Sequence, residues 1–225
     1  MKNYSVFDIL GPIMIGPSSS HTAGAARLGK IAGIIAGGDI VKAKFLLYGS
    51  FAKTYKGHGT DKALVAGILG MDPWDERLRD SISIAKEKNI EIYFQEENEE
   101  ACHPNTVKFV ITRKDGKITE VEGSSIGGGN IVVNSIDGDQ VQFTGEYPTL
   151  IVRHKDVPGV VSKVTTLLYN ANVNIAFMKV FRTDKGQRAT MVFELDNNIS
   201  SDIYDEMQNI PHISSVRVIN SLRSY

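Results

Sequence analysis

After Gly145-Glu146-Tyr147-Pro148 the hydrophobic pattern of this chain starts again, and the stretch beyond Pro148 is regular enough to specify a fold. Pro148 biases Tyr147 away from helix, which suits a short connection between domains. Thr149 to His154 alternates like a strand, Val160 to Tyr169 has helical spacing, and Val173 to Arg182 is strand-like. Lys185-Gly186 turns the chain into Arg188 to Leu195. Ser200 or Ser201 caps a helix to Asn209, and Ile213 to Val218 closes the set. Strand-helix-strand-strand-helix-strand is the order of a ferredoxin-like sandwich. The sequence thus predicts two domains, over 1–146 and 147–225.

The stretch before that boundary is mixed. From His21 to Ala36, small and apolar residues recur with helical spacing, and Gly37-Gly38 supplies the stop. Val41 to Tyr48 reads as a strand. Thr60 is placed to cap a helix through Leu64, Val65 and Ile68, and a second helix is predicted over Asp75 to Lys88. Strand-like runs occupy Ile90 to Gln95, Thr106 to Arg113, Lys117 to Ser124, Asn130 to Ile136 and Gln140 to Thr144. Asp115-Gly116 and Asp137-Gly138 are the tight turns among them. The expected class is α+β, a mixed α/β N-terminal domain followed by a βαββαβ sandwich.

Three polar loops of the first domain carry the chemistry. Gly16-Pro17-Ser18-Ser19-Ser20-His21-Thr22 sets four hydroxyls and an imidazole just before a predicted helix, where free amides and the positive end of the dipole suit a carboxylate or phosphate. A plain N-cap with loop filler is the bland alternative. The preceding Pro12-Ile13-Met14-Ile15 suggests a buried approach, where idle hydroxyls would be costly, and favours function. Gly57-His58-Gly59-Thr60-Asp61 repeats the theme, a histidine between glycines entering a helix. His103-Pro104-Asn105-Thr106 is the third case.

Other chemistries fit less well. Zinc sites favour close histidine pairs one helical turn apart, a spacing absent here. Gly127-Gly128-Gly129 lacks the spacing of a dinucleotide fingerprint. A formal net charge of −1 with mixed lysines and acids provides no field for nucleic acid. Nothing approaches the roughly 20 apolar residues of a membrane span, and the start, Met1-Lys2-Asn3-Tyr4, has no secretory pattern, so the expectation is a soluble, cytoplasmic protein without membrane association. The sole cysteine, Cys102, excludes an all-thiolate metal or iron-sulfur site built from this chain alone.

Ser5-Val6-Phe7-Asp8-Ile9-Leu10-Gly11-Pro12, the Gly16 to Thr22 loop, Gly57 to Asp61 and His103-Pro104-Asn105 together resemble the beta chain of two-subunit bacterial iron-sulfur L-serine dehydratases, over nearly the whole chain. The resemblance implies conversion of L-serine to pyruvate and ammonia without pyridoxal phosphate, assisted by a 4Fe-4S cluster whose open iron acts on the substrate hydroxyl. It implies that a separate alpha chain ligates the cluster and that this chain binds no metal itself. Carried over by position, His21 and His58 are the candidates for proton transfer. Ser18, Ser19 and Thr22 would face the substrate, and Thr60, Asp61, His103 and Asn105 would bind or orient, with Asp61 able to fix a histidine tautomer.

The second domain resembles an ACT domain, a regulatory module that commonly binds amino acids and pairs with a copy of itself. The signal is Arg153-His154-Lys155-Asp156-Val157-Pro158-Gly159-Val160 with Asn172-Val173-Asn174-Ile175. His154, Asp156, Gly159 and Asn174 would contact a regulatory ligand, although serine-binding relatives commonly carry asparagine where Asp156 stands. A sandwich that only dimerises is the structural alternative. The rival for the whole chain is a purely regulatory amino-acid-binding subunit, since related substrate-binding domains serve as allosteric modules in some phosphoglycerate dehydrogenases.

Overall fold

The computed structural model describes residues 13–99 and 101–222. The Ser5 to Pro12 run and the Met1 to Tyr4 start therefore lie outside the described residues. The chain divides between Gly138 and Asp139 into two compact units.

In the first unit, helix α1 (Ala25–Ala36) leads into β1 (Ile40–Leu47), and α2 (Gly49–His58), α3 (Thr60–Ile68) and α4 (Ser81–Glu87) carry the chain to β2 (Glu91–Glu96). β2 is parallel to β1, and such a pair needs a crossover, here the three helices. β3 (Thr106–Arg113) joins β1 antiparallel on its other side, followed by β4 (Ile118–Gly127) and β5 (Asn130–Ile136), giving the order β2-β1-β3-β4-β5. Phe94, Phe45 and Phe109 occupy facing positions on the three neighbouring strands. Their rings stack at 4.8 Å and meet edge-on at 5.5 Å. Such a row favours this register by about 0.5–1.5 kcal/mol per pair beyond the area it buries.

The buried stripe of α1, including Leu28, Ile31, Ala32 and Ile35, packs on α3 and on β4. Glycine permits the crossing of the two helices. A Cβ on Gly29 would lie 2.3 Å from the Leu64 carbonyl oxygen, and one on Gly67 would lie 2.1 Å from that of Ala26. The backbones touch where any side chain would separate them.

Local structure departs from expectation in three places. The helix expected from His21 begins instead as a π-helical turn, Ser19–Gly24, before α1. Helix α2 is unexpected, and it makes His58 a helix end rather than an approach to one, with Gly59 left-handed behind it. Gly59 also takes the cap position of α3, so Thr60 is the first helical residue and is fully buried rather than a cap. The helix expected over Asp75 to Lys88 is split into a 3-10 turn, Glu76–Asp80, and α4. Asp75 caps the turn through the Arg77 amide, and the buried Ser81 hydroxyl donates to the Lys62 carbonyl at 2.7 Å, which fixes where α4 starts.

Asp137-Gly138 forms the expected turn, both residues having positive φ, and β6 (Asp139–Phe143) opens the second unit. The βαββαβ order is realised by β7 (Thr149–Lys155), α5 (Val160–Asn170), β8 (Ile175–Arg182), β9 (Arg188–Leu195), α6 (Ser201–Gln208) and β10 (Ile213–Ile219). Ser200 caps α6. The sheet order β10-β7-β9-β8 is antiparallel throughout, and the ferredoxin-like expectation holds. Its core joins Leu150, Val152, Val164, Leu168, Met191, Phe193 and Met207, each side chain contributing about 1.5–3 kcal/mol by leaving water. Two buried carboxylates are satisfied locally: Asp139 by ion pairs with Arg153 and Arg188, and Glu194 by hydrogen bonds from the amide and hydroxyl of Thr144. β8 is an edge strand that leaves Phe177, Met178 and Val180 exposed.

Candidate active site

Ser18 organises the first loop. Its hydroxyl accepts the His21 amide at 3.2 Å and its carbonyl accepts the Thr22 amide at 2.8 Å. Two amides of the turn are thereby spent on the chain itself, which presents Ser19 and Ser20 half-buried at its open end. Winding of this kind, wider than an α-helix, recurs at functional positions in helices. The apolar approach is not buried as expected. Ile13 is 81% exposed, and Met14 and Ile15 are half-buried, the Ile15 amide donating to the Pro73 carbonyl at 2.8 Å. That bond lays the segment along the surface instead of inserting it.

The three sequence-separated loops converge on His21. Its ring centroid lies 4.8 Å from that of His58, the planes tilted by 46°, and 5.2 Å from that of buried Phe51 in an edge contact. His21 Nδ1 is 3.4 Å from the Ser18 hydroxyl and Nε2 is 3.2 Å from that of Ser50. Burial lowers the His21 pKa from the ordinary 6.5, and the neighbouring His58 charge lowers it further. At neutral pH the imidazole is held uncharged. His58, at the end of α2, is exposed and lies against the His21 ring.

The His103 loop joins through Ser50. His103 Nδ1 accepts the Asn105 amide at 3.1 Å, which places the proton of a neutral ring on Nε2. Thr106 donates to the His103 carbonyl at 2.6 Å and meets Ser124 at 2.7 Å, which in turn accepts from Asn134 at 2.9 Å. The Pro104 carbonyl accepts the Ser50 amide at 2.7 Å. Ser50 therefore touches both the His21 ring and the His103 loop. Sequence reasoning missed it, because its meaning comes from partners 29 and 54 positions away and no local pattern marks it.

The remaining candidates occupy distinct environments. Thr22 and Thr60 are fully buried, and their hydroxyls have no partner among the described residues. The same holds for Ser125 on β4, which sequence reasoning did not single out. A buried hydroxyl without a partner costs about 1–3 kcal/mol. Asp61 is half-buried and accepts the Lys62 amide at 2.8 Å, so its carboxylate is turned to its own helix start.

In the second unit His154, Asp156 and Gly159 gather where β7 passes into α5. His154 is buried, with Nδ1 2.8 Å from the Lys155 carbonyl and Nε2 without a partner among the described residues. Asp156 accepts from the Gly186 amide and from Arg182, each at 3.0 Å. Asn174 stands at the other end of the sheet, donating to Asp196 at 2.6 Å. The register pairs His154 with Ala189 but sets Ile175 opposite Leu195. Six residues of strand, about 20 Å, separate the two groups within one protomer.

No group of three or more histidine, cysteine or acidic residues is arranged to hold a metal among the described residues, and Cys102 is exposed. An iron-sulfur cluster held by cysteines does not fit this chain's own donor set.

Comparison with known proteins adds the family context. The serine dehydratase beta chain family matches residues 5–87 and the ACT domain family matches residues 148–212. The "Probable L-serine dehydratase, beta chain" of Bacillus subtilis (strain 168) is 45% identical over 97% of this chain and 99% of its own length. The L-serine dehydratase beta chain of Peptoniphilus asaccharolyticus is 37% identical over 97% and 99%. D-3-phosphoglycerate dehydrogenase of Methanocaldococcus jannaschii is 28% identical over 87% of this chain but only 37% of its own length.

Proposed function

The chain belongs to the family of serine dehydratase beta chains, and from that premise we propose that it is the beta subunit of an iron-sulfur L-serine dehydratase. It completes an active site with an alpha chain that ligates the 4Fe-4S cluster. The reaction removes the α proton and the β hydroxyl of L-serine, and the resulting aminoacrylate hydrolyses to pyruvate and ammonia. The proposed place of action is the cytoplasm. No helix among the described residues is long and apolar enough to cross a membrane.

The observation that carries this reading is the ring contact of His21, set in a serine-rich turn, with the exposed His58. An α proton beside a carboxylate is a poor acid, so the elimination needs a positioned base. His21 has hydroxyls at both ring nitrogens, whereas His58 is open to solvent, so His58 meets the substrate proton and His21 orients and tunes its neighbour. Ser19 and the open amides of the turn hold the carboxylate, while the Ser18 hydroxyl is occupied by His21. His103, with its ring proton on Nε2, and Asn105 orient the substrate from the third loop. Thr22 and Thr60, being fully buried, support the site from within rather than touch the substrate, and Asp61 steadies the start of α3.

Co-purification with the alpha chain, anaerobic reconstitution and a pyruvate assay on L-serine test the reading. The beta chain alone is expected to be inactive and the pair active. Full activity of the alpha chain alone would overturn it.

The regulatory alternative gains one observation, the likeness to a phosphoglycerate dehydrogenase over most of this chain. On that reading His21→Ala and His58→Ala would both leave turnover near normal. We propose further that the ACT-like unit self-associates through the outer edge of β8, which pairs with no strand among the described residues and would otherwise invite indiscriminate pairing. Val180→Lys should then lower the mass measured by analytical ultracentrifugation, and an unchanged mass would reject that contact.

A further inference from the structure

Ser50 belongs to none of the three polar loops, yet it joins two of them, the His21 turn and the His103 loop. Its position is set by the backbone on both sides. Gly49 has φ +54, and a Cβ there would lie 2.7 Å from the Pro104 carbonyl oxygen. Only glycine lets the chain press this close, bringing the Ser50 amide to 2.7 Å and the Phe51 amide to 3.3 Å from that same oxygen. The Ser50 carbonyl accepts the Thr54 hydroxyl at 2.8 Å, and the next side chain, Phe51, is fully buried. With backbone and neighbour fixed, the Ser50 hydroxyl stands 3.2 Å from His21 Nε2.

We propose that Ser50 is a positioning residue, whose hydroxyl selects the tautomer and ring plane of His21 and links that imidazole to the His103 loop through the Pro104 carbonyl. The neighbours decide where the protons sit. The Ser18 hydroxyl accepts the His21 amide, which leaves its own proton to point at Nδ1 3.4 Å away. The ring proton then sits on Nε2 and is donated to Ser50. Without Ser50 the Nε2 proton has no protein acceptor among the described residues, and the ring turns and exchanges tautomers against His58. The role of Ser50 deepens the dehydratase reading and rests on it for the kinetic arm of the test only.

The first arm uses the beta chain alone. Nitrogen-15 imidazole spectra, with the His21 signals assigned by loss in His21→Gln, should show the Nε2–H tautomer in the wild type. Ser50→Ala should move His21 towards a tautomer mixture, and Ser50→Thr, which keeps the hydroxyl, should restore the wild-type pattern. Should the alanine variant not fold, Ser50→Cys keeps the size with a poorer hydrogen-bond partner and reads the same shift. In the reconstituted complex, Ser50→Ala should lower kcat by about 100-fold, the scale of a misplaced catalytic group, with little change in KM, and Ser50→Thr should recover most of it. Unchanged His21 signals in Ser50→Ala, or a kcat loss that threonine does not rescue, would overturn the proposal. A changed spectrum in a complex that never acts on L-serine would sink the dehydratase reading and leave the role of Ser50 standing.

Discussion

The His21 corner and the Asp156 corner start from the same ingredients, a polar side chain close to a helix start in a unit of helices and sheet, and use them in opposite ways. Around Asp156 charge is spent: Gly186 and Arg182 occupy its carboxylate. Around His21 it is withheld. Burial and His58 keep the ring neutral, its partners are weakly polar hydroxyls, and the buried hydroxyls of Thr22 and Thr60 have no partner among the described residues. Spent groups stabilise a shape, whereas unspent groups carry a cost that marks a place kept for function.

The largest expected effect tests that contrast directly. In the reconstituted complex His58→Ala should lower kcat by about 10²- to 10⁴-fold, the usual contribution of a positioned base, with assembly unchanged on gel filtration. Asp156→Ala should leave saturated turnover near wild type. Equal losses from the two would break the comparison. A smaller effect concerns the scaffold of the catalytic corner. Gly67→Ala forces α1 and α3 apart and should cost about 1–3 kcal/mol in urea unfolding, as overpacking does. Turnover should fall with it, because the His21 turn and Thr60 ride on those helices.

Sequence pattern located most of this architecture and only part of the corner. The strands Thr106–Arg113 and Arg188–Leu195 fall where the sequence pattern places them, since each pairs on both sides. Helix α2 escaped because Gly49-Ser50-Phe51-Ala52-Lys53-Thr54-Tyr55-Lys56-Gly57-His58 buries only Phe51 and Ala52 and so carries no apolar stripe. Missing that helix misplaced His58 at an entrance when it is an end. The histidines themselves were legible as loop residues beside glycine or proline. Their partner Ser50 was not, because a hydrogen bond across 29 residues leaves no trace in spacing.

The smallest effects lie in pH dependence, and the two corners should differ in cause and in window. For His21 the folded pKa is below the ordinary 6.5, so on acidification the unfolded chain takes up this proton first. Its contribution is complete above that value and is lost as pH falls through the folded pKa, a slope that His21→Asn should flatten in urea titrations between neutral and mildly acidic pH. For Asp156 the Gly186 amide first, and the Arg182 charge after it, hold the carboxyl below the ordinary 3.8. This contribution is present above that value and is lost only as pH falls through the lower folded pKa. Asp156→Asn should therefore change the strongly acidic limb and leave the mildly acidic slope intact. If Asp156→Asn flattened the mildly acidic slope and His21→Asn did not, the neutral-ring account of the catalytic corner would fail.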